Sequence, residues 1–358
     1  MMKKIAALLL VLMFAFTAFA CDGAGSKTID IALVTDVGNI DDKSFNEGSW
    51  KGVEKFAQDN NVSHDYFRPS EDTTAARVET IKSAIDKGAK VVVCPGYLFE
   101  DAIYEVQTEY PDTMFLLIDG EPHTPDYTTY KTEKNVHCIL FQEEQAGYFA
   151  GYAAVKDGYK QLGFLGGGDV PAVKRFGYGF IIGADAAAKE LGITDEVSVK
   201  HWFSGAFVAN DDIRTKMAGW YTEGTEVIFS CGGGIYQSAT AAAEAAGKKV
   251  IGVDVDQAAE SETIITSAMK NLTNSVILSL TALYENDWTW PEEYAGITAK
   301  LGVKEDCVGL PTEDASWRLE NYTVAEYEAL YAKVKSGEIV VSDSIEPPSV
   351  SISVDYQG

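Results

Sequence analysis

Ile29-Asp-Ile-Ala-Leu-Val-Thr35 runs directly into Asp36-Val-Gly-Asn-Ile-Asp-Asp-Lys-Ser-Phe-Asn-Glu47. The first part is a largely apolar run of strand length. In the second, Ser44-Phe-Asn-Glu47 has the S-x-x-E spacing of a capping box, which predicts a helix over Ser44–Asn60 with Ser44 as N-cap and Glu47 at N3. Strand, polar turn and helix then recur. Strand-like runs follow at Lys90–Cys94, Met114–Ile118, Gln161–Leu165, Val227–Ser230 and Val250–Val253. Helical spacing follows at Thr74–Lys87, Phe99–Tyr110, Glu143–Lys156, Val173–Leu191 and Ser238–Ala246. Because the strands are apolar throughout rather than alternating, the expected sheets are parallel and covered on both faces.

The alternation spans about residues 28 to 118 and begins again near 136, which predicts two similar α/β lobes within the 358 residues. The polar stretch Tyr127–Asn135 reads as the first crossing between them. After Trp288 the pattern loosens; Val324–Lys335 reads as a helix and Gly337-Glu-Ile-Val-Val341 as a short strand.

Ahead of the first strand, Lys3 and Lys4 precede the apolar run Ile5–Phe19, then Ala20 and Cys21. This fits an export signal over residues 1–20. The run is shorter than the roughly 20 residues of a bilayer span, and no later stretch is apolar enough to cross a membrane. Two processing readings compete. Ala18-Phe19-Ala20 suits ordinary cleavage, whereas a cysteine at the junction suits a lipid anchor on Cys21, with residues 21–27 as a flexible tether. The lipid anchor is the expectation, although Ala18 and Phe19 depart from a lipobox.

The 54 Asp+Glu against 29 Lys+Arg give a net charge of −25, and loss of two signal lysines takes the mature chain near −27. This argues against a nucleic-acid binder, which needs clustered Lys and Arg. The four histidines are scattered, with no HExxH or G-x-S-x-G, so no enzyme is expected. Cys94, Cys138, Cys231 and Cys307 lack metal-ligand spacing; Cys94 and Cys231 end apolar runs and read as buried strand residues. Asp36 with Asp41-Asp42 resembles the aspartate cluster of calcium-dependent nucleoside hydrolases. Val34 stands where its first aspartate belongs, however, and calcium seeks six to eight oxygens. No cofactor or metal is expected.

In covered parallel sheets, ligands bind where strand ends turn into helices. Asp36 ends the first strand, and Phe45 and Asn46 open the helix above it. Gly166-Gly-Gly-Asp-Val-Pro171 precedes a helix carrying Lys174, Arg175 and Phe176, and Cys231-Gly-Gly-Gly-Ile-Tyr-Gln237 precedes another. Neither turn completes a dinucleotide fingerprint or a P-loop, so each reads as close backbone approach to a ligand or as a tight turn. Gly252-Val-Asp-Val-Asp-Gln257 ends a strand in carboxylates, and Ser267-Ala-Met-Lys-Asn271 supplies a cation. An ion pair or a grip on a diol fits both.

Ile31-Ala-Leu-Val-Thr-Asp-Val-Gly-Asn-Ile-Asp-Asp-Lys-Ser-Phe-Asn46 closely resembles the opening of the basic membrane protein (BMP) family of substrate-binding lipoproteins, whose best understood type is the purine nucleoside receptor. Matches continue in order at Phe115-Leu-Leu-Ile-Asp119, Glu144-Gln-Ala-Gly147, Gly163-Phe-Leu-Gly-Gly167, Gly252–Gln257 and Lys335-Ser-Gly-Glu-Ile339. The resemblance implies a type I periplasmic-binding-protein fold, two doubly wound parallel-sheet lobes joined by three hinge crossings. The boundaries expected are 28–135 with 264–305 for lobe 1, and 136–263 with 306–358 for lobe 2.

It further implies that Phe45 and Phe176 sandwich a base, that Asp36, Asn46 and Asp119 bond its edge, and that Gly233, Asp254 and Lys270 hold ribose hydroxyls. Carboxylates around the cleft would repel a 5′-phosphate and favour a neutral nucleoside. The implied partners are an ABC transporter permease and its ATPase, served by a monomer outside the cytoplasm. The rivals are a ribose or other sugar receptor of the same fold and the calcium nucleoside hydrolase; a LacI-like sensor would need a helix-turn-helix where the export signal sits. The family's Gly-Ser-Phe-x-Asp is here Ser204-Gly-Ala-Phe-Val-Ala-Asn210, and Asp169–Phe176 carries an extra basic pair. Both departures leave the preferred base open.

Overall fold

Strands that are apolar at every position can be buried on both faces, and those that the sequence marks most clearly are. The structure, a computed structural model, describes residues 28–357; the expected signal peptide, tether and lipid-bearing Cys21 lie outside them. In chain order the elements begin β1 (Ile31–Val34), α1 (Phe45–Asn60), β2 (His64–Phe67), α2 (Thr74–Asp86), β3 (Val91–Pro95), α3 (Glu100–Glu109), β4 (Met114–Ile118) and β5 (Val136–Phe141). Next come α4 (Glu143–Lys156), β6 (Gln161–Gly166), α5 (Pro171–Leu191), β7 (Ser198–Phe203), α6 (Asp211–Thr222), β8 (Val227–Cys231), α7 (Tyr236–Ala246), β9 (Lys249–Asp254) and β10 (Ile264–Lys270). The chain finishes with α8 (Leu272–Glu285), β11 (Thr298–Leu301), β12 (Val308–Gly309), α9 (Val324–Ser336) and β13 (Ser353–Gln357).

Two sheets result, ordered β2-β1-β3-β4-β5-β11 and β7-β6-β8-β9-β10-β12, the second with β13 added beside β7. All pairs are parallel except β10 with β12. Each sheet is doubly wound about its first strand, so each has a topological switch point, β1/β3 in one and β6/β8 in the other.

The lobe boundaries differ from the expectation at 136 and 264. β5 pairs with β4 in the first sheet, and β10 pairs with β9 in the second. The chain therefore crosses at Gln142, at Asn271 and through residues 302–307, because the fifth strand of each lobe joins its own sheet before the chain leaves. Tyr127–Asn135 is a loop inside the first lobe, fastened by a bridge between His123 and Tyr130. Gly337–Val341 forms no strand. Gly337 adopts φ 78° as the left-handed C-cap of α9, and Val340 beyond it is 84 % exposed. The second sheet's edge is covered instead by β13. Cys94, Cys138, Cys231 and Cys307 are all buried and free, and no helix among the described residues is long and apolar enough to cross a membrane.

Glycines set the closest helix contact. A Cβ added at Gly147 or Gly151 of α4 would fall on the carbonyl oxygen of Phe176 or Phe180, and one at Gly179 or Gly183 of α5 on that of Glu144 or Tyr148. The two helices thus meet backbone to backbone, as small-xxx-small spacing permits. Gly151→Ala should therefore cost about 1–3 kcal/mol or more through overpacking. Gly219→Ala in α6, where no atom lies within 4 Å of the new Cβ, should stabilise by about 0.5–1 kcal/mol. Urea unfolding of the two variants checks the contrast.

Candidate ligand-binding site

The carboxyl ends of the two sheets face each other across a cavity of about 460 Å³. Asp36, Phe45, Asn46, Asp119, Phe176, Gly233, Asp254 and Lys270 all line it. Asp119 follows β4 and Asp254 ends β9, equivalent places in the two lobes, and both are left-handed, with φ 61° and 65°.

The first turn of α1 is built differently from the capping box. Asp42, not Ser44, satisfies the helix start: Oδ1 accepts from the backbone N–H of Ser44 and Glu47 at 2.9 and 3.1 Å, and Oδ2 from that of Asn46 at 3.0 Å. Glu47 is turned back to Lys43, accepting from its backbone N–H at 3.2 Å. Ser44, freed from capping, donates its hydroxyl across the cleft to Asp254 Oδ2 at 2.6 Å. Gln257 Nε2 likewise reaches the Lys43 carbonyl at 2.9 Å. The lobes are therefore closed upon each other.

Asn46 is committed. Its Nδ2 donates to Asp36 Oδ1 at 2.7 Å and to Asp42 Oδ2 at 3.0 Å, and its Oδ1 accepts from the Asp36 N–H at 3.3 Å. It positions Asp36 rather than offering a free donor. Among the described residues, the partners of the Asp36 carboxylate, Asn46 and Gly38, both meet Oδ1, so Oδ2 faces the cavity without one. Burial pushes Asp36 up to about 6, against the pull of those two hydrogen bonds.

Lys270, whose side chain is 2 % exposed, bonds Asp119 Oδ2 of the opposite lobe and lies 3.1 Å from Glu143 Oε1. Burial opposes its charge, but Asp119, Glu143 and Asp254 together more than offset this and hold it firmly protonated. Asp119 Oδ1 is buried with no partner. Cleft acids thus leave acceptors open, and the ammonium supplies a donor.

The aromatic plates need correction. Lys270 Nζ sits 5.0 Å from the centroid of Phe45 and 5.4 Å from that of Phe176, so the two rings approach one point. Phe176, however, is 2 % exposed and meets Phe229 edge-on at 5.9 Å inside its own lobe. Its faces are largely covered. The half-buried ring facing the opposite lobe is Phe207, whose centroid lies 6.5 Å from that of Tyr97. The glycine turns serve this ring. A Cβ at Gly167 or Gly168 would strike it, one at Gly233 would lie 2.9 Å from its carbonyl oxygen, and the Gly234 N–H bonds that oxygen at 2.8 Å. Gly233 lines the cavity because Phe207 needs it there. The criterion that selected Phe45, an aromatic just beyond a strand end, also marks Phe207 in Ser204–Asn210. Arg175, in the extra basic pair, lines the cavity too.

Two closed α/β lobes of type I periplasmic-binding-protein fold, with a polar and aromatic cavity between facing switch points, define a solute-binding protein. Residues 29–344 match the family of PnrA-like ABC transporter substrate-binding proteins. The chain belongs to that family, whose members bind a solute outside the cytoplasm and work with a permease and its ATPase. It is 28% identical to basic membrane protein A of Borreliella burgdorferi over 354 residues, 96% of this chain and 97% of the relative. It is 26% identical to the ABC transporter nucleoside-binding protein BmpA of Lactococcus lactis over 253 residues, 67% and 68% of the two chains. A solute-binding protein from Aeropyrum pernix K1 shares the fold at TM-score 0.73 and 23% identity, over 88% of this chain and 94% of its own.

Moving the cap from Ser44 to Asp42 is testable. Asp42→Ala should cost about 1–2 kcal/mol of stability. Ser44→Ala should cost less and instead enlarge the open population, read as a larger radius of gyration in small-angle scattering.

Proposed function

We propose that this protein captures nucleosides, purine ones foremost, by closing its lobes around them, and delivers them as a lipid-anchored monomer, held through Cys21, to its permease. The observation that carries the reading is one cavity between the lobes with Phe45 and Tyr97 on one side, Phe207 on the other, and Asp36, Asp119, Asp254 and Lys270 around them. A heterocycle stacked on such rings gains about 1–3 kcal/mol per base, whichever base it is. The N–H donors of a purine edge suit Asp36 Oδ2. Ribose hydroxyls suit Asp254, a Lys270 N–H and, because its carboxylate is paired with Lys270 rather than turned to the base edge as the resemblance implies, Asp119 Oδ1. A charged partner strengthens each such bond. The nucleoside-binding name of the Lactococcus relative supports the same class. Because the ligand touches both lobes only when they are closed, binding shifts the population toward the closed state.

Calorimetric titration with guanosine, inosine, adenosine, uridine and ribose tests this. Heat from a nucleoside without turnover supports it; tight binding of ribose with no response to any nucleoside overturns it. Phe207→Ala should weaken nucleoside binding by about tenfold or more, whereas Phe176→Ala should act mainly on stability, costing about 3–5 kcal/mol.

The pH dependence has a definite sign. With Asp36 raised to about 6, the anion that accepts the ligand's proton is depleted below that pH. Inosine affinity should therefore fall by up to about tenfold per unit from this group as pH drops below 6. Burial pushes Asp119 up to about 7, so Asp36→Asn should remove the step below 6 and leave the one that Asp119 adds at higher pH.

A further inference from the structure

Behind the cavity lysine stands an acid that the nucleoside reading leaves without a role. Glu143 is the first residue of α4, one step beyond the crossing at Gln142, and its side chain is fully buried. Arg175 Nε of α5 holds its Oε2 at 2.6 Å, and Lys270 Nζ lies 3.1 Å from its Oε1. The glycine contact between α4 and α5 fixes the distance between the helices that carry Glu143 and Arg175. A carboxylate at a helix N-terminus is also favoured by the helix dipole. Glu143 is thus anchored on the lobe and hinge side, independently of any ligand.

Lysine is a point charge on a flexible four-carbon stem. With Asp119 alone as its anion, the ammonium would be free to settle on that carboxylate and follow lobe 1. Glu143 pulls from the other side, and the rings of Phe45, Phe141 and Phe176 surround the ammonium at 5.0, 5.4 and 5.4 Å. An ammonium has three N–H donors; one goes to Asp119, and Glu143 Oε1 attracts the charge at 3.1 Å without accepting a hydrogen bond, so donors remain for a ligand hydroxyl. We infer that Glu143, braced by Arg175, is a positioning residue for ribose recognition. It sets where the Lys270 donor points, and so governs discrimination between ribose and deoxygenated sugars without touching the ligand. This rests on the nucleoside reading.

The test compares inosine with 2′,3′-dideoxyinosine on the full mature chain. Wild type should prefer inosine. Glu143→Gln should lose inosine affinity on the order of tenfold to a hundredfold while changing dideoxyinosine affinity by about twofold or less, and Glu143→Asp, which keeps the charge, should recover most of the preference. If Glu143→Gln does not fold, Glu143→Gln with Arg175→Gln removes both charges together and should show the same loss of preference. Equal losses for both ligands, or an unchanged preference in a folded variant, overturns the positioning role alone. A wild-type protein that binds neither compound overturns the nucleoside reading and this inference with it.

Discussion

A lysine ammonium sealed from water is unfavourable by several kcal/mol unless anions compensate it at close range. In this protein the anions come from both lobes: Asp119 from the first, Glu143 from the start of α4, with Asp254 near. Compensation from Asp119 exists only when the lobes are together. Opening separates the pair but returns water to both groups, and for a buried pair these effects nearly cancel. The neutral Lys43–Gln257 hydrogen bond adds about 1 kcal/mol and the Ser44–Asp254 bond, made to a carboxylate, about 1.5–3 kcal/mol, together a bias of only a few kcal/mol. Closure by the protein alone is therefore marginal, which lets a bound solute decide it.

The two lobes repeat one winding order, and the repeat distributes the chemistry. Strand ends at equivalent places carry Asp119 and Asp254, both forced into the left-handed region that brings a short polar side chain back over the sheet end. The turns after β3 and β8 differ in content: Tyr97 follows one, whereas glycines follow the other. The glycines make room for the loop that presents Phe207. One lobe offers a ring directly from its turn; the other empties its turns so that a neighbouring loop can supply one.

Elements apolar on every face or strongly periodic were legible from sequence, among them β1, β4, α4 and α5. Those that were not have physical reasons. β2 and β13 are half-exposed edge strands without a continuous apolar run. α6 is polar over most of its surface, with four buried residues in twelve. Lobe membership of β5 and β10 was misread because an apolar strand looks the same whichever sheet it joins; only pairing over long range decides. At the site, Asp36, Asp254 and Lys270 were recognisable as polar residues at strand ends. Ser44 was misread because Asp42, two residues earlier, competes for the same backbone donors and accepts several at once.

Phe176 and Phe207 show how packing assigns roles to identical side chains. Both belong to the second lobe and both line the cavity, Phe176 in the helix after the glycine turn of β6 and Phe207 in the loop after β7. Phe176, however, belongs to α5, and its own carbonyl is the atom against which Gly147 of α4 rests. A helix held that close cannot swing the ring outward, so Phe176 is pressed against Phe229 and under the Lys270 ammonium. Phe207 sits on a loop whose backbone is pinned at one carbonyl, and its ring lies over Gly167 and Gly168. The small-residue contact between α4 and α5 therefore fixes more than the stability of the lobe. It withdraws one aromatic into the core, braces the Arg175–Glu143 pair, and leaves the stacking face of that lobe to the loop.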